Sequence, residues 1–407
     1  MNILIVNTRH FFGGGDSTYT FNLADVLRQR GHEVAFFAMQ DERNIFDQNS
    51  DLFVSNIDFR RENKRKNLIS GFCVMHRAIY STEARKKFRQ LLKRFHPDII
   101  HIQNIHAHIT PSVILEAKKR DLPVVWTLHD YKLVCPNSHY LIDKTGEICE
   151  ACGRKSYYQA IFKRCKKDSI FASVAASLEA YVHRIMNLRE KVDFFLAPSA
   201  FLRRKMIEQG FLHDRVKHVP YVLPNNIFKE GYCNKNYLLF LGRIEPIKGI
   251  FPLLNACKQI PEVNLVIAGR VSESLAYKLH KLLPSNAKFV GMLHRDKLKR
   301  FLFDSTAVVV PSVWYENQPF SILEAFAASK PVIASDLGGM PELVKNSSGG
   351  LLVPPGDVQA LAKAMKWMTT HARIAQEMGH SAYKYVCREH STQKHYERLM
   401  QIYENVM

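Results

Sequence analysis

The sequence predicts an α/β protein built from two parallel sheets, each covered by helices. Its 407 residues are enough for two or three domains with cores of their own. Short apolar runs alternate with helical periods in both halves, which is the pattern of parallel, doubly wound sheets. Prolines and asparagines interrupt this pattern around Pro220–Cys233, where we place the join. We therefore expect domains over 1–222 and 223–390, and a helix over 391–407 that packs back on the first domain.

The individual elements follow from the spacing of apolar residues. In the first half, Ile3–Val6 is expected as a strand, followed by a glycine-rich turn, a helix over Tyr19–Arg30 that Gly31 ends, and a second strand over Glu33–Ala38. The later strands are expected at Ile99–Ile102, Val124–Leu128, Phe194–Ala197, Tyr237–Leu241, Leu265–Ala268, Ala307–Val310 and Pro331–Ala334. Ligands of doubly wound sheets bind beyond the carboxyl ends of the strands, so functional residues are expected in the loops that follow them.

Composition limits the class of protein. A hydrophobic fraction of 46% with 23% charged residues is typical of a globular protein. The apolar run at Met1–Val6 is too short for a secretory signal, and no stretch of about 18 apolar residues predicts a spanning helix. We therefore expect a cytoplasmic protein.

Positive charge is concentrated in one segment. The formal net charge is +19, and Arg60–Arg94 holds twelve Lys and Arg residues against two Glu. Such a segment attracts nucleic acid, nucleotide phosphates or an anionic lipid leaflet, and the alternative is a solvated helix face. Nucleic acid is not expected as a partner, because the sequence has no RNP motif and no zinc-finger pattern.

A glycine triplet, Gly13-Gly14-Gly15, follows the first predicted strand and precedes a helix. Glycines at such a turn let the backbone approach a ligand and leave amide N–H groups facing an anion. The spaced glycine pattern of dinucleotide-binding proteins is absent at this turn. A plain tight turn is therefore the alternative.

Two cations follow the first strand of the second half. Arg243 and Lys248 are five residues apart in the segment Gly242–Gly249, at the carboxyl end of the predicted strand. An arginine offers a planar fork to phosphate oxygens and a lysine supplies a mobile point charge. Each such hydrogen bond to a diphosphate contributes roughly 1.5–3 kcal/mol. Solvated surface cations are the alternative.

Two glutamates bracket seven residues in the segment Pro311–Ala325. Glu316 is expected in a loop after a strand, and Glu324 on a helix that begins near Phe320. The positive end of that helix would face the phosphates bound by the two cations. A carboxylate there repels phosphate but accepts hydrogen bonds from sugar or ribose hydroxyls. The alternative is a helix cap at Glu316 and a surface residue at Glu324.

These motifs resemble those of the retaining glycosyltransferases of family 4. Members of that family have the GT-B fold, in which two Rossmann-like, doubly wound domains face each other across a cleft, an acceptor-binding N-terminal domain and a donor-binding C-terminal domain. The resemblance runs from Met1 to the C-terminal helix. It implies that Glu316 contacts the transferred sugar and Glu324 the ribose. It further implies that Arg243 and Lys248 bind the diphosphate.

The resemblance also assigns other donor-binding residues. It makes Gly13–Gly15 a loop that closes over the donor phosphates, with Gly14 as its central candidate. The remaining donor-binding candidates are Gly269, Arg270, Val290, Asn317, Phe320, Ser321 and Ile322. His129, which follows the Val124–Leu128 strand, matches a family histidine that contacts the donor sugar, whereas a lone histidine at a strand end is usually structural. His106 and His108 could line the acceptor side, and a structural role is the alternative for them.

The expected reaction follows from the residues at the donor positions. No Asp-x-Asp stands there, so the diphosphate is not expected to be held by a divalent metal, and catalysis is expected to require no cofactor. Arg243, Lys248 and a helix N-terminus would then offset the charge that develops on the leaving group. The resemblance implies retention of configuration. The alternative function is that of a non-transferring nucleotide-sugar enzyme of the same fold, such as an epimerase.

Four of the eight cysteines are clustered in sequence. Cys149-x-x-Cys152, with Cys135 and Cys165 on either side, has a spacing suited to a structural zinc site. Disulfides are not expected in a reducing cytosol, which leaves a metal site or free thiols.

Three kinds of partner are expected. They are a UDP-, GDP- or dTDP-sugar as donor, a saccharide or lipid-linked acceptor, and an anionic membrane surface bound through the basic residues 60–94. The resemblance points to bacterial cell-surface polysaccharide or lipopolysaccharide synthesis by a peripheral protein at the inner face of the membrane.

Overall fold

The chain folds into two compact units in a computed structural model that describes residues 1–56, 79–224, 235–293 and 295–407. One unit comprises Met1–Pro198, Leu202–Val222 and His395–Met407, and the other comprises Ser199–Phe201 and Leu223–Lys394. Residues 60–78 of the predicted basic segment lie outside the described part of the chain.

The N-terminal unit is built on a six-stranded parallel sheet in the order β2-β1-β3-β4-β5-β6. These strands have the hydrophobic sequences of a sheet covered on both faces, and Ile3–Val6 is fully buried. The strands are β1 Asn2–Val6, β2 Glu33–Phe37, β3 Ile99–Ile102, β4 Val124–Thr127, β5 Phe194–Ala197 and β6 Val216–His218. The helices in this part of the chain are α1 Gly15–Gln29, α2 Thr82–Phe95, α3 Ser112–Lys118, α4 Gln159–Phe162, α5 Ile170–Ile185, α6 Leu188–Lys191 and α7 Ala200–Glu208.

The C-terminal unit has a second six-stranded parallel sheet, in the order β12-β11-β10-β7-β8-β9. Its strands are β7 Tyr237–Leu241, β8 Asn264–Ala268, β9 Ala287–Gly291, β10 Ala307–Val310, β11 Val332–Ser335 and β12 Gly350–Val353. The helices in this half of the chain are α8 Ile250–Lys258, α9 Glu273–Leu282, α10 Arg295–Asp304, α11 Phe320–Ala327, α12 Met340–Ser347, α13 Val358–Thr370, α14 Ala372–Glu389 and α15 Thr392–Glu404.

The last helix supplies part of the N-terminal core. From His395 onward the chain is grouped with that unit. The hydroxyl of Tyr403 lies 2.6 Å from Nδ1 of His101, a buried residue of β3, and His395 Nε2 lies 3.2 Å from the Tyr19 hydroxyl of α1. These buried polar contacts fix the helix against both the sheet and α1, because a polar group left without a partner in a core is costly.

Each sheet has one point where the order of its strands reverses. In the N-terminal sheet the chain moves from β1 to β2 on one side and to β3 on the other, and in the C-terminal sheet β7 lies between β8 and β10. Loops that leave two such adjacent strands diverge and form a crevice at their carboxyl ends. The loops after β1 and β3, and those after β7 and β10, are therefore the places where each unit can bind a ligand.

Among the described residues, no helix combines the length and the apolar composition that crossing a membrane would require.

Candidate active site

The loops after β7 and β10 meet at the switch point of the C-terminal sheet. The first loop contains Arg243 and Lys248, and the second contains Glu316. The backbone N–H of Val313 donates to the carbonyl of Ile247 at 2.9 Å, which joins the two loops directly. The structure thus brings together two predicted site segments that are far apart in sequence.

Lys248 is held in place by the backbone around it. It ends a short 3₁₀ helix, Pro246–Lys248, and Gly249 then adopts the left-handed conformation with φ of 75° before α8 begins. A Cβ at Gly249 would also lie 1.8 Å from the carbonyl oxygen of Pro311. Only glycine fits both constraints, and the resulting close approach places Lys248 against the loop after β10.

Glu316 is the centre of a buried hydrogen-bond cluster. Its Oε1 lies 2.5 Å from Lys248 Nζ and accepts from the Ser312 hydroxyl at 2.8 Å and from the Trp314 indole N–H at 2.9 Å. The Glu316 side chain is only 7% exposed. Burial alone would raise the pKa of this carboxyl, but the Lys248 ammonium and the three hydrogen bonds lower it, so the carboxylate is charged at neutral pH.

The loop after β11 supports the Glu316 backbone from behind. The N–H of Gly339 donates to the Glu316 carbonyl at 2.7 Å. A Cβ at Gly339 would lie 1.8 Å from the carbonyl oxygen of Asn317, so a larger residue cannot approach this closely. Asn317 itself is buried. This packing fixes the position from which Glu316 reaches Lys248.

Glu324 differs from Glu316 in its electrostatic environment. It is partly buried on α11, which begins at Phe320, continues through Ser321 and has Ile322 in the core. Burial raises the pKa of Glu324 to about 7. Near neutral pH this carboxyl therefore exists in both protonation states, and a ligand that donates hydrogen bonds to it favours the ionised form.

Arg243 does not share the environment of Lys248. Its side chain is exposed, and Nη1 lies 3.0 Å from Oε1 of Glu245, two residues along the same loop. The other predicted donor residues lie on neighbouring loops. The N–H of Gly269 donates to the carbonyl of Gly291 at 2.8 Å, and Val290 is part of β9. Arg270 Nη2 lies 3.9 Å from the sulfur of Met292.

The glycine loop of the N-terminal unit follows β1 at that sheet's switch point. Gly14 precedes α1, which begins at Gly15. The N–H groups of Gly13 and Gly14 both donate to the Ser17 hydroxyl, at 3.0 and 3.2 Å. The loop is therefore closed on its own helix, and a ligand that used these two N–H groups would replace Ser17 as their acceptor.

His129 is fully engaged inside the N-terminal unit. Its Nδ1 lies 2.7 Å from the Tyr221 hydroxyl and its Nε2 lies 2.8 Å from Gln103 Oε1, while its ring stacks on that of Tyr221. Burial lowers the pKa of His129 to about 4, so the ring is neutral at pH 7. Contact with a sugar would require one of these two hydrogen bonds to be exchanged.

The histidines after β3 lie near a carboxylate. His106 Nε2 is 3.7 Å from Asp130 Oδ1, and burial lowers the pKa of His106. The N–H of His108 donates to the His106 carbonyl at 3.0 Å. These contacts are sufficient for a structural role. The hypothesis that the two histidines line the acceptor side stays a prediction.

The four clustered cysteines all lie in the described part of the chain, and none of them forms a disulfide. Cys152 and Cys165 pack with Tyr157 in one small hydrophobic cluster. Burial raises the pKa of both thiols to about 12, and the other cysteines of the group add to the rise, which shows that the four lie near one another. Nevertheless, no three His, Cys, Asp or Glu side chains among the described residues meet in an arrangement that could hold a metal ion.

The described end of the basic segment is partly neutralised. Arg85 and Arg89 of α2 both contact Glu116, at 3.0 and 2.8 Å, and Arg94 pairs with Asp51 at 2.9 Å. The hydrogen bonds from Arg89 and its neighbours lower the pKa of Glu116 to about 2. Ion pairs within the unit therefore compensate part of the positive charge on α2, and an excess remains because two of these arginines share one carboxylate.

The sequence motifs did not reveal three parts of the Glu316 cluster. Ser312 and Trp314 belong to no sequence motif of their own, although both donate to the carboxylate. Gly339, whose N–H supports the loop, likewise gives no signal of that role in the sequence. A buried carboxylate needs donors, so the hydroxyl and indole that precede Glu316 were the available signal.

Comparisons with known proteins agree with this architecture. A family described as "Glycosyltransferase Family 4" matches residues 13–221, and one described as "Glycosyl transferases group 1" matches residues 224–385. The chain is similar to an uncharacterized 42.6 kDa protein in the cps region of Klebsiella pneumoniae, with 26% identity over 354 residues that cover 84% of this chain and 87% of the relative.

Two further similarities are narrower or concern the fold. The D-rhamnosyltransferase WbpZ of Pseudomonas aeruginosa is 32% identical over 149 residues, which are 36% of this chain and 39% of that protein. The structure of Anabaena Alr3699/HepE in complex with UDP and glucose superposes with a TM-score of 0.70 at 16% identity and covers 100% of both chains. This likeness, together with the two Rossmann-like units, confirms the predicted GT-B fold class.

The two family matches together span nearly all of the chain, and the match to glycosyltransferase family 4 alone covers more than half of it. The resemblance carried by the glutamate pair and the two cations is thereby confirmed at the level of the family. The chain is a glycosyltransferase and belongs to glycosyltransferase family 4.

Proposed function

We propose that this glycosyltransferase moves a sugar from a UDP-, GDP- or dTDP-sugar to a saccharide acceptor with retention of configuration. The observation that carries the proposal is the contact between Lys248 and Glu316 at the switch point of the C-terminal sheet. Glu316 occupies one of the three ammonium donors of Lys248, which leaves two for the oxygens of a diphosphate. The carboxylate thus positions a cation for the phosphates while remaining an acceptor for sugar hydroxyls.

The proposed step needs no residue that the chain lacks. The bond from the anomeric carbon to the diphosphate oxygen breaks, and a bond to the acceptor oxygen forms on the same face. The acceptor's proton passes to an oxygen of the departing diphosphate. Lys248 and Arg243 offset the charge on that leaving group, Glu324 accepts from the ribose, and His129 contacts the sugar after it exchanges a hydrogen bond. No divalent metal takes part in this scheme.

We also propose a lipid-linked acceptor in bacterial cell-surface polysaccharide or lipopolysaccharide synthesis, with a peripheral location at the inner face of the membrane. The similarity to a protein of the Klebsiella pneumoniae cps region supports the polysaccharide pathway. Nucleic acid is not part of the proposal. The contribution of basic residues 60–94 to membrane binding stays a prediction, and the ion pairs on α2 limit it to the remaining charges.

The structural zinc site stays a prediction as well. Cys135, Cys149, Cys152 and Cys165 lie in one region of the N-terminal unit, although their side chains do not converge as metal ligands. Metal analysis of the purified chain tests it. We expect one zinc per chain that is lost in a Cys149→Ser/Cys152→Ser variant, and a metal-free wild-type chain would exclude the site.

The decisive experiment is a donor panel. UDP-, GDP- and dTDP-sugars are incubated with the protein, and nucleotide release is measured with and without a lipid-linked saccharide and with excess chelator. We expect acceptor-dependent release that the chelator does not reduce and that Lys248→Met or Glu316→Gln abolishes. Lys366→Met is the matched control, since Lys366 forms a surface pair with Glu262 in the same unit.

The outcomes separate the candidate functions. Release that persists in both site variants would contradict the assignment. Acceptor-independent conversion of the donor sugar, with the nucleotide still attached, would favour the epimerase-like alternative.

A further inference from the structure

Helix α5 of the N-terminal unit has its polarity reversed. The residues that it buries are small or polar: Ser173, Ala176 and Ser177. The Ser173 hydroxyl accepts from the N–H of Lys166 at 3.2 Å, and the Ser177 hydroxyl donates to the Tyr157 carbonyl at 2.9 Å. A surface helix of a globular protein normally buries its apolar stripe, whereas this helix is anchored by serine hydrogen bonds together with the packing of Ala180 and Tyr181 on the cluster around Tyr157.

An ion pair strengthens that inward side. Glu179 of α5 contacts Lys132 at 2.7 Å, and both side chains are almost completely buried. Burial opposes ionisation of Glu179, but Lys132 lowers the pKa of this carboxyl to about 2. The helix is therefore held in a fixed orientation, because rotating it would leave a buried charge without its partner.

The outward side of α5 is apolar. Phe171 is 88% exposed, Ile185 is 79% exposed, and Val174 and Leu178 are exposed as well. Their spacing of three, seven and fourteen residues from Phe171 places them on one face of the helix. Phe162, at the end of α4, adds a further exposed ring. Contiguous apolar surface of this kind marks an interaction site.

Cations border this apolar face. The linker between α4 and α5 carries Lys163, Arg164 and Lys167, all exposed. Its backbone is fixed, since the N–H of Lys167 donates to Asp143 Oδ2 at 2.7 Å and the N–H of Asp143 donates to the carbonyl of Cys165 at 3.0 Å. The cysteine-containing segment thus holds the basic linker at the start of the apolar helix.

We propose that the α4–α5 hairpin, residues 159–185, docks the protein on an anionic lipid bilayer. An apolar helical face with a basic border fits the boundary between acyl chains and anionic headgroups, where the apolar side chains are buried and the cations meet lipid phosphates. A second copy of the chain is the alternative occupant of this face, and the oligomeric state distinguishes it from a bilayer. This docking surface gives the proposed membrane location a structural basis. It rests on the proposed function only in that docking would bring the enzyme to a lipid-linked acceptor.

Vesicle co-sedimentation tests the surface without any transfer reaction. The full chain is mixed with empty vesicles of phosphatidylcholine containing roughly 30% phosphatidylglycerol, or none. We expect wild-type binding to the anionic vesicles only, and a reduction of at least about tenfold in Phe171→Gln/Leu178→Gln, which removes two apolar anchors. The charge variant Lys163→Glu/Lys167→Glu should bind about tenfold more weakly at low salt.

Two controls make the result specific. Phe46→Gln changes an exposed phenylalanine elsewhere in the same unit and should bind like the wild type. Circular dichroism and sedimentation velocity establish that the variants are folded and report the oligomeric state. Wild-type binding by Phe171→Gln/Leu178→Gln would overturn the proposal. So would a wild-type dimer that this variant dissociates. Because the vesicles contain no donor or acceptor, either result is independent of the nucleotide-release assay.

Discussion

Lys248 and Glu316 form a buried ion pair across two loops of the C-terminal sheet, with Nζ 2.5 Å from Oε1. The two residues are separated by 68 positions in sequence. The pair exists because β7 and β10 are neighbours in the sheet, and because Gly249 lets the first loop approach Pro311. A buried pair of this kind costs desolvation energy, so its value to the protein is the placement of two functional groups rather than stability.

The first prediction concerns the stability of that pair. Lys248→Met should lower the unfolding free energy of the C-terminal unit by about 3–5 kcal/mol, because it leaves the Glu316 carboxylate buried without its cation. Lys248→Met/Glu316→Gln should recover most of the loss, since no buried charge then remains. Urea unfolding followed by Trp fluorescence measures both. A single variant as stable as wild type, or a double variant as unstable as the single one, would show that the two side chains are not coupled.

The second prediction concerns the pH dependence caused by Glu324. Its pKa of about 7 lies above the ordinary value of 4.5, so its contribution to stability is fully present below pH 4.5 and is lost as the pH rises through 7. Glu324→Gln cannot ionise, and it should therefore become more stable relative to wild type between pH 4.5 and 8, by up to about 3 kcal/mol. Thermal unfolding at both pH values measures the difference. An unchanged gap would place the pKa of Glu324 near its ordinary value.

Ligand binding should show the opposite trend at the same residue. The ionised carboxylate accepts stronger hydrogen bonds from ribose hydroxyls than the neutral acid does. Nucleotide affinity should therefore rise from pH 6 to pH 8 more in wild type than in Glu324→Gln. The variant corrects for titration of the nucleotide's own phosphate, which occurs near about pH 6. Parallel pH profiles for the two proteins would remove Glu324 from the nucleotide site.

The third prediction concerns the glycine behind the Glu316 loop. Gly339→Ala should displace the loop and reduce transfer by at least about tenfold, since the new methyl group would overlap the Asn317 carbonyl and backbone cannot yield cheaply. Gly153→Ala is the matched control, because its nearest neighbour would be the flexible end of Gln209 at 3.4 Å. Steady-state kinetics and thermal unfolding of both variants test this. Equal activity in the two would mean that the loop after β11 does not constrain the site.

The fourth prediction concerns His129 and acid. Its pKa of about 4 lies below the ordinary value of 6.5, so the stability that it contributes is present above pH 6.5 and is lost as the pH falls through 4. This residue should account for up to about 3 kcal/mol of the acid sensitivity of the N-terminal unit. His129→Gln should flatten that part of the profile in urea unfolding at pH 7 and pH 5. If stability depended on pH equally in the variant and in wild type, the acid sensitivity would come from other groups, such as His101, whose pKa is also lowered by burial.

The sequence was sufficient for the strands that are short and mostly apolar runs. The expected strands at Ile99–Ile102, Phe194–Ala197, Tyr237–Leu241 and Ala307–Val310 have the observed bounds. The expected strand at Pro331–Ala334 begins one residue later, at Val332, because proline cannot donate to a ladder.

Three strands were not predicted. β6 is only three residues long and contains a lysine and a histidine, β9 also contains a lysine, and β12 opens with a glycine. Such segments become strands through pairing with a neighbour that is already in place, and this pairing leaves no periodic signal.

The candidate site was predictable by residue type but not by pairing. The positions of Lys248 and Glu316 after strands are readable from the sequence, and Phe320 does begin the helix that carries Glu324. The contact between Lys248 and Glu316, the exposed Glu245 pairing of Arg243, and the engagement of both His129 nitrogens depend on strand order and side-chain packing. Local sequence contains none of that information.

The central claim is that Lys248 binds the donor diphosphate and that Glu316 positions the Lys248 ammonium group. The most direct measurement is calorimetric titration of wild type, Lys248→Met and the control Lys366→Met with UDP, GDP and dTDP, and with the corresponding nucleosides. We predict that Lys248→Met loses at least about tenfold in affinity for the diphosphate that wild type binds, as expected for a lost charge-assisted hydrogen bond. Nucleoside binding and the control should be unchanged. Wild-type affinity of Lys248→Met for every diphosphate would contradict the account.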